Sequence, residues 1–273
     1  MRTLTKKTLQ LPFIGVLSLL ATQALASDKS GYNLFNPVPA DQMRELATDR
    51  PDRTESAYSV DPGHFQFEAD LINRSASGEA SETLLGGINA KAGLTDSIDV
   101  QLVLEPFVTT AVGEVSESGI GDTTLRLKWN LFGNDEGSSA LALMPYISLP
   151  TRGENIGSSN TTVGLAIPFA YSLPGDVSGG IMLEPTYSLF DGGNFNDHFT
   201  FGTMATFSRD LWGDFGGYVE FYNELSSGPW VATFDLGITW GMTPNLQWDI
   251  GANIGASEAS DDLNVFAGVS FRL

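Results

Sequence analysis

Cysteine is absent from the 273 residues, so no disulfide holds the fold, and the hydrogen-bond ladder and apolar packing must do so. Basic residues are scarce: 14 Lys and Arg stand against 33 Asp and Glu, a net charge of −19. A nucleic-acid partner is excluded on that ground, because binding one needs a basic footprint. Only two histidines, His64 and His198, occur, which leaves little room for histidine-centred hydrolysis. Long apolar runs are also lacking. Beyond the first 26 residues, glycine and polar residues interrupt every stretch that could approach the ~20 residues of a spanning helix. That absence is equally compatible with a chain that crosses a membrane in strands.

What is present begins with a predicted signal peptide over residues 1–26. Arg2, Lys6 and Lys7 precede the largely apolar Leu9–Ala21, and Ala24-Leu25-Ala26 supplies a small-x-small cleavage pattern. Removing it takes the net charge from −19 to −22. Residues 27–62 show no sustained alternation and are rich in Asp, Pro, Arg and Ser. They read as an extended periplasmic or plug segment. Residues 63–273 alternate almost without pause and read as one barrel.

The alternation is specific. Phe65, Phe67, Ala69 and Leu71 interleave with Gln66, Glu68 and Asp70; Ile98, Val100, Leu102 and Leu104 with Asp99, Gln101 and Glu105. Leu125, Leu127, Trp129 and Leu131 interleave with Arg126, Lys128 and Asn130. About twelve such segments follow one another, among them one with Leu84, Ile88, Ala90 and Ala92 on its apolar face. Charges keep to the opposite face. A Lys or Arg facing mid-bilayer lipid costs ~2–4 kcal/mol, so a lipid-facing surface explains the segregation. A soluble sandwich with one buried face would alternate too. The last segment, Val265 to Leu273, carries the alternation to the final residue, as the terminal strand of an inserted barrel does. The predicted fold is therefore all-β: a transmembrane antiparallel up-and-down barrel of about 12 strands with an N-terminal non-barrel segment.

The connections differ in kind. Thr95-Asp96-Ser97, 133–137, 174–176, Asp210-Leu211-Trp212-Gly213 and Thr243-Pro244-Asn245 are short and turn-coded. Residues 111–119, 151–159 and 257–262 are longer, polar or acidic, and read as outer loops; short inner turns with longer outer loops are the outer-membrane pattern.

Ten charged residues on the inward parity are candidates for lining a permeation path: Glu68, Asp70, Asp99, Glu105, Arg126, Lys128, Glu184, Glu220, Asp235 and Asp249. Leu104-Glu105-Pro106, Leu183-Glu184-Pro185 and Met144-Pro145 predict bulges or bends, since Pro cannot donate to a ladder. Glu105 and Glu184 opposite Arg126 and Lys128 would create a transverse field, or else ion pairs that fill the lumen. Asp49, Arg50, Asp52, Arg53 and Glu55 are the plug candidates, their arginines expected to meet lumen carboxylates. Their spacing matches no metal loop, and no cofactor, metal or catalytic residue is expected. His198, with Asp197 and Asp191 nearby, reads as a strand-end residue, as does His64.

Thr48-Asp49-Arg50-Pro51-Asp52-Arg53-Thr54-Glu55-Ser56, followed by Val60-Asp61-Pro62-Gly63-His64-Phe65-Gln66, resembles the opening of a family of bacterial outer-membrane barrels named for the meta-pathway of phenol degradation. Residues 93–99, 119–130, 145–151 and 243–249 look like its later blocks, and the resemblance spans Met43 to Leu273. It implies an outer-membrane channel or transporter for passive passage of small molecules, aromatic or otherwise hydrophobic. A structural or adhesive barrel without transport is the alternative, and an outer-membrane hydrolase the second. Expected partners are outer-membrane lipids, the barrel-insertion machinery and a small-molecule substrate.

Overall fold

The computed structural model describes residues 28–135, 137–156, 160–189 and 199–273. The leader, and His198 with Asp191 and Asp197, lie outside the described residues.

Fifteen strand segments follow in order: β1 (Phe65–Ser77), β2 (Ala80–Leu85), β3 (Gly87–Thr95), β4 (Ile98–Leu104), β5 (Phe107–Val112), β6 (Val115–Gly119), β7 (Thr123–Phe132), β8 (Ser139–Leu149), β9 (Thr161–Leu173), β10 (Val177–Leu189), β11 (Phe199–Trp212), β12 (Phe215–Leu225), β13 (Val231–Thr243), β14 (Leu246–Gly255) and β15 (Leu263–Arg272). Twelve of them close a ring, β1-β3-β4-β7-β8-β9-β10-β11-β12-β13-β14-β15, with β15 paired back onto β1. Every pairing is antiparallel. Phe67 and Phe271 stack across the closing seam, ring centroids 5.3 Å apart.

The remaining three, β2, β5 and β6, continue the upper ends of β3, β4 and β7. Gly86 (φ +70°) separates β2 from β3, Glu105-Pro106 separates β4 from β5, and residues 120–122 separate β6 from β7. β2 pairs with the second half of β1, β5 with β2, and β6 with β5. Residues 111–119, expected as a loop, thus belong largely to a hairpin of β5 and β6.

The packing is inside-out. Leu125, Leu127, Trp129 and Leu131 are exposed on the outer surface, while Lys128 and Asn130 between them are buried. Apolar groups that would collapse inward in water are stable outside only where the solvent is lipid. Stacked aromatics gather at the short-turn end: Trp212 on Phe215 at 5.5 Å, and Phe215 on Trp240 at 5.8 Å.

Three expectations about local geometry are corrected. Pro145 and Pro185 make no bulge, since the pairings on either side of each keep one register, although the ladder lapses beside each on one side; a ladder can lose one donor without gaining a residue. Of the three prolines, only Pro106 stands at a strand break. Leu84 faces inward, paired with buried Val108, because the break at Gly86 reverses the parity before Ile88. The turn expected at 210–213 is tighter, as β11 runs to Trp212 with an irregularity after Asp210.

Candidate functional site

The chain before β1 enters the barrel rather than hanging from it. Residues 48–62 bond to inward-facing side chains from both sides of the wall. Proline and charge deny this segment a strand or helix of its own, so its backbone donors are satisfied by carboxylates of the wall.

Asp49 lies at the centre. Its carboxylate accepts from Lys91 Nζ (β3) and Lys128 Nζ (β7), each at 2.5 Å. Its backbone N–H and that of Arg50 donate to Glu68 (β1) at 3.0–3.1 Å and 3.0 Å. Lys91 also pairs with Glu68. Lys128 is 1% exposed and Asp99, which accepts from the Val60 N–H at 2.9 Å, is 0% exposed. Glu55 takes a 2.6 Å bond from Arg126. The basic wall of β3 and β7 therefore receives the acids of the segment.

Its arginines go to the acidic wall. The Arg50 guanidinium donates to Asp249 (β14) at 2.7 and 3.1 Å and to Asp70 (β1) at 2.5 Å, and lies over the Phe266 ring. Arg53 pairs with Asp235 (β13) at 3.3 Å and sits 4.5 Å over the Tyr222 ring. Its backbone N–H and the Thr54 hydroxyl both donate to Glu220 (β12) at 2.7 Å. Two cavities flank the segment. One of about 590 Å³ on the periplasmic side is lined by Thr48, Arg50, Asp52, Ser178, Ser208 and Tyr218 among others. One of about 270 Å³ on the outer side is lined by Asp49, Arg50, Glu55, Asp70, Glu105 and Arg126 among others.

A second layer closes the mouth at the short-turn end of the barrel. Lys29, buried, bonds Asp61 at 3.0 Å and Asp135 at 2.7 Å; Arg44 reaches Asp135 at 2.8 and 3.0 Å and Asp96 at 2.6 Å. Burial pushes the Asp135 carboxyl up, but the bonds from Arg44 and Lys29 outweigh it and hold the group below its usual range. His64 is a clamp, its ring nitrogens bonded to the carbonyls of Val38 (2.7 Å) and Leu273 (3.0 Å).

Of the ten expected lumen residues, eight engage residues 48–62: Glu68, Asp70, Asp99, Arg126, Lys128, Glu220, Asp235 and Asp249. Glu105 and Glu184 do not pair with Arg126 and Lys128 as expected, because the segment supplies nearer anions. Glu184 accepts from Tyr146 at 2.8 Å. Glu105 accepts from the Asp122 N–H at 3.0 Å and lies 3.7 Å from Arg152. Arg152, from the loop after β8, also reaches Glu82 at 2.9 Å and Asp122 at 3.7 Å, so it spans the level at which β2, β5 and β6 break from the strands below.

Lys91, Asp61, Lys29, Arg44 and Arg152 were not among the expected residues. Parity puts Lys91 on the inward face, since it alternates with Ala90 and Ala92, although it was not one of the ten candidates. The inner wall also carries an apolar half-ring: Met144, Ala166, Met182, Met204 and Tyr222, on five successive strands from β8 to β12, form one buried cluster. It shares a lumen with the charged wall of β1, β3, β4 and β7.

Closed ring, lipid-facing apolar exterior and charged interior define an outer-membrane barrel of the channel-like, porin type. The family model described as "Putative MetA-pathway of phenol degradation" matches residues 48–273, and the chain belongs to that family. No curated protein matches the sequence. Among solved structures, the NanC porin superposes with a TM-score of 0.54 at 12% identity, covering 77% of this chain and 100% of its own. The COG4313 outer membrane channel from Pseudomonas putida F1 gives 0.54 at 12% identity, covering 77% and 94%. The KdgM porin in complex with disordered oligogalacturonate gives 0.50 at 6% identity, covering 76% and 98%. At such identities the likeness is one of fold.

Proposed function

We propose that the chain is a plugged channel for passive passage of small, amphipathic or aromatic molecules across the outer membrane, with residues 48–62 as the plug. The observation that carries this is the double ion-pair match, Asp49 and Glu55 on the basic wall and Arg50 and Arg53 on the acidic wall. Inward charges that merely filled a lumen could all pair wall to wall; here, Lys91 with Glu68 apart, they hold a separate segment between two cavities. The methionine half-ring, buried while residues 48–62 are in place, would suit an apolar solute once they shift, since methionine is soft and adapts to irregular shapes. The charged wall opposite suits a polar head. The family's association with phenol degradation is in keeping with an aromatic solute.

Two routes serve such a solute: down the lumen once residues 48–62 shift, or sideways at the strand breaks beside Arg152. Liposome swelling with phenolic, sugar and fatty-acid solutes tests the reading, comparing the full chain with a variant lacking residues 28–56. Faster swelling of the variant, with phenolics ahead of sugars of similar size, is the expected result. Equal silence of both towards every solute would instead favour a structural barrel.

A further inference from the structure

The outward face of the barrel changes chemistry abruptly at one corner. Along β1, the exposed Leu71 and Ile72 are followed by Arg74. Arg74 pairs in register with Thr83 of β2, Thr83 with Thr109 of β5, and Thr109 with Ser118 of β6. The row is bonded across: Arg74 Nη1 donates to Thr83 at 2.8 Å, Nη2 to Ser81 at 3.2 Å, and the Thr109 and Ser118 hydroxyls are 2.9 Å apart. Above it runs a second outward row, Ala76, Ser81, Ala111 and Ser116. Below it lie exposed Leu85 and Phe107.

Charge is segregated between the two faces of this extension. Glu82 and Glu117 fall on the inner row with Ser75 and Thr110, and Glu79 and Glu114 occupy turns. The outward face thus bears one cation and no acid, on a chain of net charge −19. Among the described residues the other outward-facing cation on a strand is Arg209, at the periplasmic end of β11. Position supports a lipid headgroup as the partner. Arg74 is nine residues beyond Phe65, and ~9–11 residues carry a tilted strand across the hydrocarbon. It therefore stands where the outer leaflet's headgroups begin.

We infer that this face, Arg74 with the hydroxyls of Ser81, Thr83, Thr109, Ser116 and Ser118, binds the phosphorylated sugar headgroup of the outer-leaflet glycolipid. The guanidinium has five N–H donors in a fork that matches phosphate, and its two bonds to Thr83 and Ser81 hold that fork in place. The hydroxyl rows match the sugar. The channel reading plays no part in this inference.

The test is the unfolding temperature of the full chain in phospholipid nanodiscs, titrated with purified lipopolysaccharide or with phosphatidylglycerol. Lipopolysaccharide should raise it. R74Q should weaken that binding on the order of tenfold, the worth of a charge-assisted hydrogen bond, while R209Q should leave it unchanged. The double variant S81A/T83A, which keeps the charge but loses its supports, should fall between. Three results would overturn the inference: an undiminished response in R74Q, an equal loss in R209Q, or an Arg74-dependent response of the same size to phosphatidylglycerol.

Discussion

Gly268 leaves the gap in which the Arg50 guanidinium lies. In register it stands between Asp70 of β1 and Asp249 of β14, the two carboxylates that Arg50 bonds. A Cβ added to Gly268 would come within 2.3 Å of Arg50 Nη2. The absence of a side chain there turns two like charges on one row into a site for a single cation.

Gly268→Ala is therefore expected to expel the guanidinium while both carboxylates and the ring of strands remain. Single-channel recordings should show more frequent or larger openings. The thermal stability of the barrel should fall by the ~3–5 kcal/mol typical of breaking a buried ion pair, because Asp249 is left buried without its cation. A closed channel indistinguishable from the parent would contradict the plug.

Asp49→Asn removes the anion shared by Lys91 and Lys128, leaving two buried ammonium groups with Glu68 as the nearest remaining anion bonded to one of them. Breaking a buried pair by removing one partner costs ~3–5 kcal/mol. The expected outcome is a lower unfolding temperature together with raised conductance. Restoring a carboxylate with Asp49→Glu should recover part of both.

Glu184 accepts from Tyr146, and among the described residues no hydrogen bond or ion pair joins it to residues 48–62. Glu184→Gln should leave the full chain as closed as before. In the variant lacking residues 28–56, the same substitution should reduce cation preference, measured as a shift in reversal potential under a salt gradient. An unchanged preference would remove Glu184 from the permeation path.

Arg152 spans Glu82, Glu105 and Asp122 at the level of the strand breaks. Arg152→Gln is expected to loosen the loop at 150–156 and speed the entry of apolar solutes, with little change in ion conductance. Equal effects on apolar solutes and ions would argue for the lumen as the common route.

Asp135 contributes a pH dependence to the layer that closes the short-turn mouth. Its folded pKa lies below the ordinary 3.8, so the stabilisation is complete above that value and is lost as pH falls through the lower folded pKa. Hydrogen exchange across residues 28–47, corrected for intrinsic rates, should show protection from neutrality down to about pH 4 and loosening below it. Asp135→Asn should be less protected throughout, with a smaller acid step.

Much of this was legible from one-dimensional pattern. Parity placed Glu68, Asp99, Lys128 and Asp249 inside because period-2 geometry admits two faces, and the face turned to the hydrocarbon excludes charge. Where both faces are polar, as in Thr109, Ser116 and Glu117, the pattern fades, and the β5–β6 hairpin read as a loop. The break at Gly86 was hidden for a related reason: a single residue with positive φ reverses parity without altering composition, so Leu84 was assigned to the wrong face.

The sequence by itself determined a closed lipid-facing barrel, the inward set of charges and a distinct segment before β1, since each follows from local alternation or its loss. Only the tertiary structure decided which charges meet. Asp49 finds Lys91 and Lys128, Arg50 finds Asp70 and Asp249, and Glu105 is left to Arg152. Those choices depend on strand register, the gap at Gly268 and the path of an irregular segment through the lumen, and sequence spacing encodes none of these distances.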